Sequence, residues 1–542
     1  MKDKPFAITL DVGSSLANKT GSWRVDRPVY VDRLPPCNHA CPADEDIQGW
    51  LFRAEVGDYG GAWRVLVETN PLPAVMGRAC FRPCEAACNR SGVDEAVGIN
   101  AIERFLGDQA IEQGWEVSAP GPASGRRVLV VGSGPAGLSA AYQLRRLGHE
   151  VEIHEAAPKP GGMLRYGIPA YRLPRRVVDA EIERITAMGV TLVTGSRITD
   201  ASSAMAENGF DATFVAVGAQ RGRDAEIPAG DAARVVDAIS LLHGFEEGRR
   251  PGLGRRVVVY GGGDTAMDVA RTAERMGATD TVVVYRRTRD RMPAHDEEVD
   301  DALAEGVRMR WLSTVVRAEG GRLVLERMDL DDRGLPKPTG EFEELEADSL
   351  VLALGQDADL SLLDDLPGVG TSAGTVEVDP DQMTGCSGVF AGGDVTGGER
   401  TITAAVGEGR RAAAAIDAFM GGRAPMRPVD RPLATADRLN LWYYEDAPRM
   451  LRPRLEAARR RTTFDEVVGG LGTDEALFEA RRCMSCGNCF ECDNCYGMCP
   501  DNAVIKLGPG QRYRFDLDYC KGCGICVQEC PCGAIDLIPE PR

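Results

Sequence analysis

Residues 127–155 read RVLVVGSGPAGLSAAYQLRRLGHEVEIHE, which is an apolar strand, a glycine-rich turn, a helix and a second strand. In such a turn the first glycine allows the tight bend, the second lets backbone approach a pyrophosphate, and the third lets helix and strand pack closely. The helix N-terminus then faces the phosphate charge. An acid ends the second strand, where it accepts hydrogen bonds from ribose hydroxyls. The predicted dinucleotide-binding residues are Gly132, Gly134, Pro135, Ala136, Gly137 and Glu155.

A second unit of this kind begins at Arg256, with RVVVYGGGDTAMDVA at residues 256–270. Its next strand, 281–285, ends in two arginines rather than in an acid. Paired guanidinium groups suit the 2′-phosphate of NADP, so the sequence favours NADP(H) over NAD(H). The alternative is a solvated strand end. The predicted binding residues are Gly261, Gly263, Asp264, Thr265, Ala266, Arg286 and Arg287.

Two dinucleotide units in one chain suggest that a flavin and a nicotinamide meet face to face. The sequence GGD at 392–394 follows an apolar segment, and a glycine-flanked helix is predicted over 401–415. Gly393 and Asp394 are placed to hold a ribityl chain, and the helix N-terminus at Thr401 favours the negative charge of a reduced flavin ring. The minimal reaction is hydride transfer followed by single-electron steps. It needs no side-chain acid, base or nucleophile, so no catalytic residue is predicted.

Eleven of the 17 cysteines lie between Cys483 and Cys532, and five lie between Cys37 and Cys88. The spacing Cys-x2-Cys-x2-Cys-x3-Cys-Pro occurs at 489–500 and again at 520–531, as in bacterial two-cluster ferredoxins. Zinc is the alternative, but the duplicated order disfavours it. In this arrangement the fourth cysteine of each run binds the other cluster. One predicted 4Fe–4S site is Cys489, Cys492, Cys495 and Cys530, and the other is Cys520, Cys523, Cys526 and Cys499.

The middle of the chain resembles the small (β) subunit of NADPH-dependent glutamate synthase. The resemblance rests on GGMLRYGIP at 161–169, RLP at 172–174, GGGDTAMD at 261–268, YRRTR at 285–289 and AGGD at 391–394. The flavin half of dihydropyrimidine dehydrogenase is similar. The resemblance spans roughly 35–420 and implies FAD at the first site and NADPH at the second. It adds Gly162, Leu164 and Arg172 to the expected FAD-binding residues.

The amino-terminal cysteines resemble the helical iron–sulfur region of the same family, which binds two clusters. In that family the first run opens with an additional CxxC, and here residues 1–36 contain no cysteine. Cys483-Met-Ser-Cys486 looks like the missing segment, placed near the other end of the chain. We therefore expect one cluster on Cys37, Cys88, Cys483 and Cys486, and another on Cys41, Cys80 and Cys84. The family resemblance of the helix around 102–105 implies Glu103 as the fourth ligand of that second cluster. Alternatively, Cys483 and Cys486 are idle or form a local site, and Glu103 is an ordinary surface glutamate.

Composition limits the class of protein. The 542 residues carry a formal net charge of −19, which argues against a nucleic-acid or anionic-membrane binder. The longest apolar runs fall short of a membrane span, and the first ten residues, MKDKPFAITL, lack a signal-peptide core. The expected location is the cytoplasm.

The predicted fold class is α/β, with two Rossmann-like domains between a helical iron–sulfur domain and a ferredoxin-like module. The expected boundaries are 1–122 for the iron–sulfur domain, 123–250 and 376–425 for the FAD-binding domain, 251–375 for the NADP(H)-binding domain, 426–482 for a connector, and 483–542 for the ferredoxin-like module.

Two functional hypotheses follow. The first is a reductase subunit that connects NADP(H) to ferredoxin or to a 2-oxoacid oxidoreductase through FAD and four 4Fe–4S clusters. The second is the NADPH-accepting subunit of a glutamate-synthase-like amidotransferase, with the large subunit as its partner. Both predict a hetero-oligomer.

Overall fold

The computed structural model describes residues 19–223, 234–319, 321–425 and 429–541. A five-stranded parallel sheet carries the first dinucleotide unit, and its short apolar strands are almost fully buried at the centre. Helices Pro135–Arg146 and Ile402–Met420 pack against each other beside this sheet. In spatial order its strands are Val389–Ala391, Ala212–Val215, Arg127–Val131, Glu150–Glu155 and Thr191–Thr194.

A second five-stranded parallel sheet carries the second unit. In spatial order its strands are Arg308–Trp311, Asp280–Tyr285, Arg256–Tyr260, Ser349–Leu352 and Arg234–Asp237. The last of these lies inside the range 123–250 that the sequence analysis assigned to the first unit. Its pairing with Ser349–Leu352 puts it in the second sheet instead, because hydrogen bonding to a neighbouring strand decides sheet membership, whatever the position along the chain. The helices of this unit are Ala238–Glu246, Asp264–Arg275 and Asp296–Ala304.

The amino-terminal domain is a cluster of short helices around Trp50, Leu66 and Ile102. Its helices are Pro36–Ala40, Ile47–Ala54, Tyr59–Leu66, Pro73–Ala79, Pro83–Ala86 and Ile99–Glu112. Further helices in the body are Met163–Tyr166, Arg175–Ala187 and Ala201–Asn208. An antiparallel sheet is formed by Ser313–Glu319, Arg322–Leu330 and Pro336–Glu346. Short strands are Arg221–Gly222, Gln356–Asp357, Thr371–Ser372 and Thr375–Val376.

The carboxy-terminal module consists of short elements, and the beginning of the described chain pairs with its end. Strand Asp26–Tyr30 runs antiparallel to Ile535–Pro539. The connector and module also contain helices Ala457–Arg460, Thr473–Arg481, Asn494–Gly497 and Ile525–Gln528, and the strand pair Val504–Lys506 and Tyr513–Phe515. Short 3-10 turns lie at Thr20–Trp23, Asn89–Gly92, Arg289–Arg291, Ser361–Leu363, Ala436–Arg438 and Leu441–Tyr443.

The architecture confirms the α/β fold class predicted from the glycine-rich units. Among the helices of the described residues, none is both long and apolar enough to cross a bilayer.

Candidate functional site

The first glycine-rich turn has the geometry that a pyrophosphate requires. Gly132 has φ +104°, a conformation that L side chains rarely adopt. A Cβ at Gly134 would meet no atom within 4 Å, so the backbone is open at this position. The Ser133 amide and hydroxyl donate hydrogen bonds to Glu155 Oε2 at 2.9 and 2.5 Å. The turn therefore fits a dinucleotide, with Ser133 orienting the acid that sequence reasoning selected.

The other predicted FAD-binding segments lie around the same turn. A Cβ at Gly162 would come within 2.9 Å of the Gly134 Cα, so these two backbones meet closely. The Gly393 amide donates to Glu408 Oε2 at 2.6 Å, and Thr401 caps helix Ile402–Met420 by accepting from the Ala404 amide at 3.2 Å. Sequence reasoning missed Glu408, because a buried glutamate inside a helix carries no motif signal.

Leu164 and Asp394 are both shielded from solvent. Leu164 is fully buried, and burial raises the pKa of Asp394. Arg172 has a different environment: it pairs with Asp268 at 2.7 Å and with Glu298 at 2.6 Å. Both partners belong to the second unit, so these contacts join the two units. The binding of FAD by Arg172 remains a prediction.

The second unit surrounds a cavity of about 660 Å³. Gly263 is open in the same way as Gly134, since a Cβ there would meet no atom within 4 Å. Arg286 and Arg287 line the cavity beside Gly261 and Thr265, so the structure brings the predicted guanidinium pair to the glycine turn.

Two predicted residues of the second unit, Ala266 and Asp264, contact other parts of the protein in this structure. Ala266 is fully buried beneath the turn. Asp264 accepts hydrogen bonds from the His295 backbone amide at 3.0 Å, and its other carboxylate oxygen lies 3.0 Å from His295 Nδ1. Asp264 is therefore held by the loop at 292–295, and its own contact with a cofactor stays a prediction.

Cys41, Cys80, Cys84 and Glu103 lie together inside the amino-terminal domain. Glu103 is only 5% exposed, which excludes the alternative of a surface glutamate. Burial, followed by the charge of Glu103, raises the pKa of Cys80 to about 12. Burial, followed by the charge of Cys80, also raises the pKa of Cys84. Buried groups that repel one another when they ionise fit a site where a cationic iron centre supplies the compensating charge.

A second buried carboxylate, Glu45, lies beside this site and was not predicted. The Asn70 side-chain amide donates to Glu45 Oε1 at 2.9 Å and to Glu103 Oε1 at 2.8 Å. Burial raises the pKa of Glu45 to about 7, and burial followed by the Glu45 charge raises the pKa of Glu103. Glu45 is thus a second candidate for the oxygen ligand.

The structure brings Cys483 and Cys486 to Cys37 and Cys88, across almost the whole length of the sequence. All four line one small cavity. Burial, followed by the charges of Cys483 and Cys88, raises the pKa of Cys37. We call this four-cysteine cavity the shared site.

A buried carboxylate holds the carboxy-terminal half of the shared site in place. Glu479 is fully buried and accepts hydrogen bonds from the amides of Gly98 at 2.6 Å and Met450 at 2.8 Å. It also pairs with Arg482 at 2.5 Å. These contacts fix the turn that presents Cys483 to the amino-terminal domain.

The ferredoxin-like module groups its cysteines as the duplicated spacing predicts. Burial raises the pKa of Cys495 to about 12, with the charges of Cys489, Cys492 and Cys530 adding to it. The second set, Cys499, Cys520, Cys523 and Cys526, lines one cavity. Among the described residues, no three His, Cys, Asp or Glu side chains are arranged to hold a single metal ion. A 4Fe–4S cube differs from such a site, because its four thiolates bind four separate iron atoms.

Two cysteines remain outside these sets. Cys386 is half-buried against the core of the first sheet. The Cys532 sulfur lies 3.7 Å from that of Cys530 and is buried.

Comparison with known proteins matches three parts of the chain to family models. Residues 126–409 match pyridine nucleotide-disulphide oxidoreductase, residues 27–115 match dihydropyrimidine dehydrogenase domain II with its 4Fe-4S cluster, and residues 488–534 match a 4Fe-4S dicluster domain.

Three curated relatives are similar over most of their length. The NADP(+)-dependent formate dehydrogenase subunit beta of Moorella thermoacetica is 37% identical over 498 residues, 83% of this chain and 70% of that protein. The NADPH-Fe(3+) oxidoreductase subunit beta of Geobacter sulfurreducens is 32% identical over 513 residues, 84% of this chain and 76% of that protein. The NAD-dependent dihydropyrimidine dehydrogenase subunit PreT of Escherichia coli O157:H7 is 34% identical over 393 residues, 71% of this chain and 91% of that protein.

The glycine turns, the grouped cysteines and these matches agree with one another. The chain belongs to the pyridine nucleotide-disulphide oxidoreductase family, as an FAD-dependent NAD(P)H oxidoreductase that carries 4Fe–4S domains at both ends.

Proposed function

We propose that this protein moves electrons between NADP(H) and an iron–sulfur partner through four 4Fe–4S clusters. The observation that carries the proposal is the shared site, where Cys37 and Cys88 meet Cys483 and Cys486. Without such a site, no cluster would lie between the site with Cys80 and the ferredoxin-like module. Fifteen cysteines and one glutamate supply the sixteen ligands that four 4Fe–4S clusters need.

Contacts between neighbouring cysteine groups support one order of the proposed cluster sites. The Tyr444 hydroxyl donates a hydrogen bond to the Met484 carbonyl at 3.1 Å, next to Cys483 and Cys486. Burial, followed by the charge of Cys532 in the module, raises the pKa of Tyr444, which agrees with a position between the module and the shared site. Burial raises the pKa of Cys526 to about 12, with Cys495 of the other module set among its neighbours. Helices Pro36–Ala40 and Pro83–Ala86, which carry Cys37 and Cys84, pack against each other, so the site with Cys80 adjoins the shared site. These contacts support a route from the site with Cys80, through the shared site, to the site with Cys530 and then to the site with Cys526.

The chain's own residues bind and orient the cofactors. When bound, FAD exchanges a hydride with the nicotinamide and single electrons with iron–sulfur clusters. The open backbone at Gly134 receives the FAD pyrophosphate, and Glu155 orients its ribose. Arg286 and Arg287 bind the 2′-phosphate of NADP(H) as charge-assisted hydrogen-bond donors.

The partner is ferredoxin or an iron–sulfur subunit of a larger oxidoreductase. The names of the relatives support this, since they include beta subunits of a formate dehydrogenase and of an Fe(3+) oxidoreductase. They favour the oxidoreductase hypothesis over a glutamate-synthase-like amidotransferase. Anaerobic purification of the tagged protein from its host, followed by mass spectrometry, tests the assignment. An iron–sulfur dehydrogenase subunit is the expected companion, and a glutamate synthase large subunit would contradict it.

The electron route is tested by interrupting it at the shared site. We expect Cys483→Ser to lower iron by about four atoms per chain, the content of one cube. Dithionite should still reduce the module clusters of this variant, whereas NADPH should no longer do so, as followed by electron paramagnetic resonance (EPR). Cys386→Ser, a half-buried cysteine outside the cluster sites, is the matched control. Full reduction of the module by NADPH in Cys483→Ser would contradict the route.

A further inference from the structure

Thr403 connects the FAD-side helix to a predicted cluster ligand. It is the second residue of helix Ile402–Met420, whose N-terminus lies at Thr401. Its side chain is 3% exposed, and its hydroxyl donates a hydrogen bond to the Cys80 sulfur at 3.1 Å. Sequence reasoning selected Thr401 for the flavin and Cys80 for a cluster, but nothing in the motifs linked the two through Thr403.

The Cys80 sulfur accepts a second hydrogen bond, from the Arg82 backbone amide at 3.3 Å. Arg82 has φ +61°, so the backbone turns to bring this amide to the sulfur. A backbone amide is present whatever the side chain, whereas the hydroxyl depends on the residue type at 403. The hydroxyl is therefore the contact at this sulfur that a substitution can remove cleanly.

Hydrogen bonds to cluster sulfurs are one of the means by which a protein sets a reduction potential. Reduction adds one electron to the cluster and makes its ligand sulfurs more negative. A donor to the sulfur stabilises the reduced form more than the oxidised form, so it raises the reduction potential. A nearby helix N-terminus acts in the same direction.

We propose that Thr403 is a positioning residue that raises the reduction potential of the cluster held by Cys80 and so favours electron entry from the flavin side. The inference rests on the proposed function, because it takes Cys80 as a cluster ligand. A purely structural threonine would affect stability and leave the potential unchanged.

The test compares Thr403→Val, which removes the hydroxyl at constant shape, with Thr403→Ser, which retains it. In an anaerobic redox titration followed by EPR, we expect the potential of one cluster to shift downward in Thr403→Val and to stay near wild type in Thr403→Ser. Iron content should be unchanged in both. Thr403→Ala is a second variant without the hydroxyl, in case Thr403→Val does not fold.

The matched control is Thr213→Val. Thr213 is fully buried in the first sheet, and its hydroxyl has no hydrogen-bond partner within the part of the chain that the structure describes. Its removal should leave every cluster potential unchanged, which would support the assignment to Thr403. An equal shift in Thr213→Val and Thr403→Val would overturn it.

Cys80→Ser separates failure of the inference from failure of the proposed function. If Cys80→Ser loses a cluster while Thr403→Val keeps the wild-type potential, the inference alone is overturned. If Cys80→Ser retains all iron and every EPR signal, the ligand assignment and the inference are both overturned.

Discussion

The two dinucleotide units differ in the residues that follow the second strand: the first unit has an acid there, and the second has two arginines. Glu150–Glu155 ends in a carboxylate that is held by Ser133, whereas Asp280–Tyr285 is followed by Arg286 and Arg287. A carboxylate accepts hydrogen bonds from ribose hydroxyls, but it would repel a 2′-phosphate. The residue type at this position is therefore the basis for predicting which nucleotide each unit binds.

We expect the double substitution Arg286→Ala and Arg287→Ala to raise the KM for NADPH about 10- to 100-fold, since hydrogen bonds to charged groups contribute about 1.5–3 kcal/mol. The KM for NADH should change little, because NADH lacks the 2′-phosphate. Steady-state kinetics with both cofactors and a dye acceptor measure the effect. Arg289→Ala is the control, because Arg289 pairs with Asp300 at 2.6 Å. Equal increases for NADPH and NADH would refute the assignment.

Helix Thr473–Arg481 is short and amphipathic, and it is positioned by one buried carboxylate. It packs against helices Ile47–Ala54 and Ile99–Glu112 of the amino-terminal domain. Glu479 accepts hydrogen bonds from two backbone amides outside its helix, those of Gly98 and Met450, and it neutralises Arg482. Removal of one partner from a buried ion pair leaves an uncompensated charge, which is costly.

We expect Glu479→Gln to weaken the packing of this helix on the amino-terminal domain by about 1.5–3 kcal/mol. The cluster at the shared site should then be lost first on warming, because Cys483 follows the helix directly. Thermal unfolding and iron content after mild heating measure the two effects. Glu475→Gln is the control on the same helix. The exposed Glu475 side chain accepts a hydrogen bond from the Gly472 amide at the helix N-terminus. This substitution should lower the stability of the protein by at most about 1 kcal/mol. Equal iron loss in the two variants would contradict the role of Glu479.

At the scale of the whole molecule, the two ends of the described chain meet. The strand pair Asp26–Tyr30 and Ile535–Pro539 attaches the amino-terminal segment to the module. Arg33 is 4% exposed; it donates to the Gly533 carbonyl at 3.1 Å and pairs with Asp536. This attachment holds the module against the domain that supplies the other half of the shared site.

We expect Arg33→Ala to increase amide hydrogen exchange in segments 26–34 and 530–539, and to slow NADPH-dependent reduction of the module. Exchange in the buried strand Arg127–Val131 should not change. Hydrogen-exchange mass spectrometry distinguishes these segments. Arg317→Ala is the control, because Arg317 is an exposed residue of the antiparallel sheet, paired with Glu319 at 3.3 Å. Unchanged exchange at both chain ends would show that Arg33 does not maintain the attachment.

Local pattern was enough to predict the fold class, both glycine turns and the grouping of the module cysteines. The reason is that a glycine turn needs residues within a few positions of one another, and a ferredoxin loop fixes three ligands through its own short spacing. The strand Arg234–Asp237 was assigned to the wrong unit, because membership in a sheet is decided by pairing with a distant strand.

The sequence by itself determined which residues are predicted to carry the chemistry, because motif spacing is a property of short segments. It also suggested that Cys483 and Cys486 belong with Cys37 and Cys88. The amino-terminal cysteine group lacks the CxxC pair that its family resemblance implies, and an additional CxxC pair precedes the ferredoxin-like module. Only the tertiary structure decided the contacts between distant segments: Glu479 on Gly98, Thr403 on Cys80, and Asp26–Tyr30 on Ile535–Pro539. Such contacts join residues hundreds of positions apart, so they depend on how the domains pack and leave no periodicity in the sequence.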